Sequence, residues 1–185
     1  MKAVLIVLAV VGVIGVGAVV TGWLLPQDHV VAMSVRIAAP PDSVWAVIAN
    51  PAGFPAWRPE VTQVDMLAPG TAGGAGPAWR EHTTDGVMKY VIDSANPPRQ
   101  LVTRIADRNL PFGGQWDYRI EPEDSTRTAT MVTITERGSV YNPVYRFASR
   151  FVMGQTSTID RYLRALGRRF GTESAPVQLE SAGAL

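Results

Sequence analysis

The chain contains no cysteine, so neither disulfides nor thiolate chemistry are open to it. It has only two histidines, His29 and His82, far apart in the sequence. That argues against a metal centre built on clustered imidazoles, although an oxygen-only site stays open; no metal and no cofactor is expected. Charge of either sign is scarce: 17 Lys plus Arg against 16 Asp plus Glu leave a net charge of +1. A nucleic-acid binder usually carries a basic excess, so no nucleic-acid partner is expected. Nor does the spacing of Ser, His and Asp allow a hydrolase triad to be assembled.

What the chain does have is apolar sequence, 46% of its 185 residues, enough for one ordinary globular domain. The longest run, Ala3 to Leu25, reads AVLIVLAVVGVIGVGAVVTGWLL without a single charge. About 20 apolar residues span a bilayer, whereas a cleaved signal peptide has an apolar core of only about 7–15. The run is therefore read as an uncleaved single-pass anchor, residues 1–25, with Trp23 suited to the membrane interface. Its VIGVGAVVTG stretch imitates a dinucleotide-binding turn, but the third glycine position is Val20 and no strand–helix unit follows. Ala18 and Gly22 form a small-xxx-small pair that can join two anchors into a homodimer. Lys2 flanks one end, while Asp28, His29 and Arg36 follow the other. The positive-inside tendency then points to a cell-membrane protein whose soluble domain faces away from the cytoplasm.

Residues 26–29 are too few to reach more than roughly 14 Å, so the domain beyond them, 30–171, is expected to lie at the membrane surface. Val31, Met33, Val35 and Ile37 alternate with smaller or polar residues, the pattern of a half-buried strand. Proline in a first turn and Asp42 near its dipole open a short helix whose apolar face is Val44, Trp45, Val47 and Ile48. NPAGFPAWRPEV, from Asn50 to Val61, is too rich in proline for a helix of any length and too aromatic for a solvated loop. Strand patterns follow at 61–67, 77–84, 86–94, 99–107, 113–121 and 127–140, divided by Gly/Pro/Asn/Asp turns. Their short connections predict an antiparallel meander. From Asn142 to Phe170 a helical period places Val144, Ala148, Phe151, Gln155, Ile159, Tyr162, Leu166 and Phe170 on one face. Arg146, Arg150, Arg161, Arg164 and Arg168 fall opposite. This predicts a long helix, bent at most at Gly154, lying along the sheet. Its arginine face is solvated, or else reaches anionic headgroups, which would suit a cytoplasmic domain instead. Residues 172–185 show no period and are expected to form a disordered tail.

The segments VRIAAPPDSVWAVIANPAGFPAWRPEV, AWRE, LPFGGQW, TITERG and the stretch from YNPVYRF to RRF together resemble a START-like, or SRPBCC, domain of the polyketide cyclase/dehydrase type. The resemblance covers roughly residues 30–170 and leaves out the anchor. It implies an α+β helix-grip fold, a curved antiparallel sheet wrapped around a long C-terminal helix, with a cavity for an apolar ligand. In such a fold the proline-rich segment stiffens a cradle beneath the helix, with Phe54 and Trp57 inserted into the core end or walling the cavity, and Arg58 reaching a carboxylate or staying wet.

Strand alternation then gives a candidate lining. Trp79, Glu81 and Thr83 share a face, as do Met88, Tyr90 and Ile92, then Trp116, Tyr118 and Ile120, then Val132, Ile134 and Glu136. The candidate ligand-binding residues are Phe54, Trp57, Trp79, Glu81, Met88, Tyr90, Trp116, Tyr118, Ile134, Glu136, Phe151 and Gln155. An apolar wall with few polar groups suits a hydrophobic small molecule, a lipid or isoprenoid drawn from the adjacent bilayer. Desolvated carboxylates in such a wall also open a cyclase or dehydratase reading through Glu81, Tyr90 or Glu136, unless Arg80, Arg104 or Arg137 pairs with them. A third reading is a scaffold whose cavity is filled by its own side chains. Binding without catalysis is the reading preferred.

Overall fold

A computed structural model describes residues 2–68, 70, 73, 76–154 and 156–179. Helix α1, Lys2–Leu24, is exposed along nearly all of its length, and Gly22 is its buried residue. It is the one described helix long and apolar enough to cross a membrane. Only Leu25, Pro26 and Gln27 separate it from strand β1, Asp28–Ile37. Asp28 and His29, read above as linker, are thus the first residues of the sheet. They are recruited by antiparallel pairing with Ser139 and Gly138.

Helix α2, Pro41–Ile48, follows with Pro41 in its first turn and buries Val44 and Ile48. The proline-rich stretch becomes a 3₁₀ helix over Pro51–Ala56, a conformation that tolerates proline-fixed φ over one or two turns. Strands β2 (Val61–Leu67), β3 (Ala78–Thr83), β4 (Gly86–Asn96), β5 (Gln100–Ile105), β6 (Phe112–Pro122) and β7 (Thr130–Val140) form the meander. All their pairings are antiparallel, and β1 closes the order against β7. Val31, Met33, Val35 and Ile37 are all buried, as their alternation requires.

The C-terminal helix is interrupted. Helix α3, Pro143–Ala148, is capped by Asn142, whose Oδ1 accepts from the Val144 and Tyr145 amides. A π-helical turn over Ser149–Met153 follows, and Gly154 breaks the rod with a φ of 77°. Helix α4, Ser157–Arg169, then crosses the sheet and buries Ile159, Tyr162, Leu163, Ala165 and Leu166. Gly171, with a φ of 65°, ends it: its amide reaches Arg168 O and that of Thr172 reaches Gly167 O, the two bonds of a Schellman stop. The continuous stripe expected from Val144 to Phe170 is therefore two stripes, and only the second lies on the sheet. Val144 and Phe151, expected against the strands, are 50% and 60% exposed.

Helix α3 packs on α1 instead. A Cβ at Gly22 would collide with the backbone of Pro143, so the small residue exists to admit that backbone. The Gly22 seam read as a link between two anchors serves this contact within one chain. The tail also differs from expectation over 172–179, where β8, Val177–Leu179, pairs with Ala32 to Ser34 of β1. An open strand edge offers unpaired backbone groups, and three residues suffice to use some of them. Residues 180–185 lie outside the described residues, as does Gln155.

Candidate functional site

The inner face of the sheet carries the expected side chains, and the register shows which of them meet. Trp79 lies opposite Tyr90 and Glu81 opposite Met88. Trp116 lies opposite Glu136 and Tyr118 opposite Ile134. The cradle and α4 close on them from above.

The deep half of this space is filled by side chains. Phe54, Trp79, Tyr118 and Ile134 are buried in the hydrophobic core. Trp57, packed against that core, meets Tyr162 of α4 edge-on with ring centroids 5.2 Å apart, and Tyr162 meets Trp116 at 5.6 Å. Trp79 stacks on Tyr90 at 5.6 Å. Into this aromatic cluster runs Arg58, its side chain 12% exposed, which is the carboxylate partner left open in the sequence. Its guanidinium lies 5.1 Å from the Phe54 ring centre and 5.2 Å from that of Tyr162. Nε donates to Glu60 at 2.9 Å, and Nη1 sits 3.1 and 3.2 Å from the two Glu81 oxygens. Trp79 Nε1 adds a 2.9 Å bond to Glu81. Burial opposes the charge on Arg58, but Glu81, Tyr162 and Glu60 outweigh it and hold the guanidinium more firmly protonated than in water. Arg104, considered above for Glu81, instead pairs with Asp93.

Elsewhere on the inner face burial is incomplete, although Glu81, opposite Met88, is itself buried. Met88, Tyr90, Trp116 and Glu136 are only half-buried there. Glu136 accepts from Trp116 Nε1 at 2.8 Å and shares a 3.2 Å hydrogen bond with His29 Nε2. His29 was missed by sequence reasoning, which left it in the linker. The signal available was the pairing of first and last strands, since its ring lies over Gly138, where a Cβ would strike it. His82 is on the other side, bonded to Asp65. Phe151 meets Phe147 at a tilt, with ring centroids 5.0 Å apart. Desolvation pushes the hydroxyls of Tyr90, Tyr118 and Tyr162 well above the ordinary tyrosine range.

A recess of about 230 Å³ lies beside the end of α1, lined by Leu25 to His29, Val140, Arg146, Ser149 and Arg150. A larger one, about 530 Å³, lies at the opposite end of the sheet beside Pro41, Pro98, Arg119 and Arg127. Among the described residues, no three His, Asp or Glu side chains converge to hold a metal ion.

A meander closed by its first strand, gripped by a C-terminal helix over an aromatic interior, defines a START-like domain of the helix-grip class. The chain belongs to the family described as polyketide cyclase/dehydrase and lipid transport, whose model matches residues 28–171. The domain is similar in fold to a START superfamily protein from Mycobacterium smegmatis. There the identity is 19% over 77% of this chain and 97% of that one, with a TM-score of 0.59. A conserved protein from Geobacillus kaustophilus matches 80% of this chain and 99% of its own at 11% identity, with a TM-score of 0.63. Norcoclaurine synthase from Thalictrum flavum matches 77% and 86% at 12% identity, with a TM-score of 0.59. No curated protein matches the chain by sequence.

Proposed function

We propose that this chain is a membrane-anchored binding protein for a hydrophobic small molecule, lipid or isoprenoid-like, received at the anchor end of the grip. One observation carries this reading: beside the buried Trp79, Glu81, Tyr118 and Ile134, the inner face leaves Met88, Tyr90, Trp116 and Glu136 only half-buried. The bound molecule would enter between the broken helix and the strands, with indole and phenol rings for its apolar body and Glu136 and His29 for a polar end. Phe54, Trp79, Tyr118 and Ile134 then form the floor rather than the wall. The tether of Leu25 to Gln27 keeps that opening at the bilayer from which such a molecule would come. Lys2 favours a domain outside the cytoplasm.

A second reading, an enzyme of the cyclase or dehydratase kind, draws on the His29–Glu136 pair in the same opening, a carboxylate and imidazole placed for proton transfer. Native mass spectrometry of the full chain, extracted in mild detergent, tests the first reading. A co-purifying apolar mass is the expected result. An empty protein whose tryptophan fluorescence is unmoved by lipid titration would overturn it.

A further inference from the structure

The first half of the broken helix turns its back on the sheet, and its exposed side is apolar. Val144, Tyr145, Phe151 and Val152 are 49–76% exposed. Val144, Tyr145 and Ala148 share a face of α3 away from Arg146, and Phe151 and Val152 extend the exposed apolar surface into the π-helical turn. An apolar face left open by a soluble domain needs a cover. What lies beside it is the end of α1: Pro143 rests on Gly22, and Arg146 donates to the Gly22 and Leu25 carbonyls at 3.4 and 3.3 Å. Arg146 Nε also donates to Val140 O at 2.7 Å, and Nη2 to Tyr141 O at 3.0 Å. One guanidinium thus pins α3 to the last turn of the anchor, level with the exposed Trp23 and Leu24.

We propose that the segment from Pro143 to Val152 is itself a membrane element, lying in the headgroup–acyl boundary of a phospholipid bilayer with Val144, Tyr145, Phe151 and Val152 turned into the lipid. The proposal rests on the reading of α1 as a membrane span. Continuity with α1 selects the bilayer as occupant, because any face held at the end of a span meets that boundary. Composition fits as well: an aromatic and aliphatic face is what an interfacial helix turns to the acyl region. Gly154 and the π-helical turn acquire a role, since a straight rod would press this face onto the strands.

The test uses the full chain in phosphatidylcholine–phosphatidylglycerol vesicles. The absence of native cysteine allows single nitroxide labels at Val152→Cys, Phe151→Cys, Val13→Cys in the span and Ser125→Cys in the β6–β7 turn. That turn lies at the far end of β7, roughly 33 Å from its anchor end at ten steps of about 3.3 Å. Relaxation by oxygen is compared with relaxation by a water-soluble nickel chelate. The expected oxygen-to-nickel ratio at Val152 and Phe151 is at least about threefold that at Ser125, approaching Val13. Ratios equal to Ser125 with Val13 in lipid would overturn the proposal and leave the anchor standing. A Val13 label open to nickel would remove both. Shielding from both relaxants, with spin–spin broadening that disappears on dilution with unlabelled protein, would assign the face to a second copy and also overturn it.

Discussion

The Arg58 guanidinium lies 3.1 Å from Glu81 Oε2 across the cradle–sheet junction, with both side chains almost wholly out of water. Glu81, Glu60 and the rings of Phe54 and Tyr162 together hold the Arg58 cation this deep, and losing Arg58 or Glu81 leaves the other stranded. Arg58→Met or Glu81→Leu alone should therefore cost about 3–5 kcal/mol of domain stability. The double variant should recover part of it, because two apolar side chains can occupy the same volume, while Glu60 still lacks its arginine. Denaturant unfolding in detergent, followed by tryptophan fluorescence, measures the cycle; additive losses would show that the two ions act separately.

That pair also separates what a sequence can disclose from what it conceals. Period-two alternation is a local property, so Trp79 with Glu81, and Trp116 with Tyr118, could be assigned to one face before any partner was known. The strand bounds followed because Gly, Pro, Asn and Asp turns interrupt pairing. Arg58 was visible only as a residue able to reach a carboxylate, since its partner is set by how the cradle folds back on β3. His29 was hidden for a similar reason: its environment comes from β7, 107 residues away. The break at Gly154 escaped because an apolar stripe reads alike whether strands or lipid cover it. Arg146 escaped too; the period places it on the polar face, and nothing local reveals that this face meets the carbonyls of α1.

At the open end of the grip, binding and catalysis make different demands on the same residues. Trp116→Ala removes the largest half-buried wall element and should weaken binding of a co-purified apolar ligand roughly tenfold, equivalent to about 1.4 kcal/mol. Glu136→Gln keeps an acceptor for Trp116 Nε1 and should change affinity by less than about threefold. Ligand retention by native mass spectrometry across a dilution series compares the two. If Glu136→Gln instead traps a ligand that the wild type converts, the enzyme reading gains and simple binding fails.

The contact of Gly22 with Pro143 makes its own demand on sequence. A Cβ there has no room against the Pro143 backbone, so Gly22→Ala should push α3 from α1 and lengthen the Arg146 bonds to Gly22 and Leu25. The domain would then swing more freely about Leu25 to Gln27. Nitroxides at Val16→Cys and Val144→Cys, with distances measured by pulsed dipolar spectroscopy, should show a narrow distribution in the wild-type background and a broad one beside Gly22→Ala. Unchanged widths would mean that the β-sheet alone orients the domain. Gly17→Ala, whose added Cβ meets no neighbour within 4 Å, is the control.

The buried phenols set an alkaline limit on the fold. Desolvation raises Tyr118 and Tyr162 above the unfolded value, with Arg58 pulling the other way but by less. A raised acid holds its proton more tightly in the folded state. Its contribution to stability is therefore complete below the unfolded tyrosine value of about 10 and disappears as pH climbs from there towards the folded values. Between those limits the unfolded chain has released protons that the folded chain retains, which draws the equilibrium towards unfolding. Alkaline titration should thus show tyrosinate absorbance from these phenols only together with loss of near-ultraviolet circular dichroism. Tyr118→Phe removes one of the ionisable groups and should move the unfolding midpoint to higher pH. Tyrosinate from all five tyrosines appearing before any loss of structure would mean that water reaches the interior of the grip.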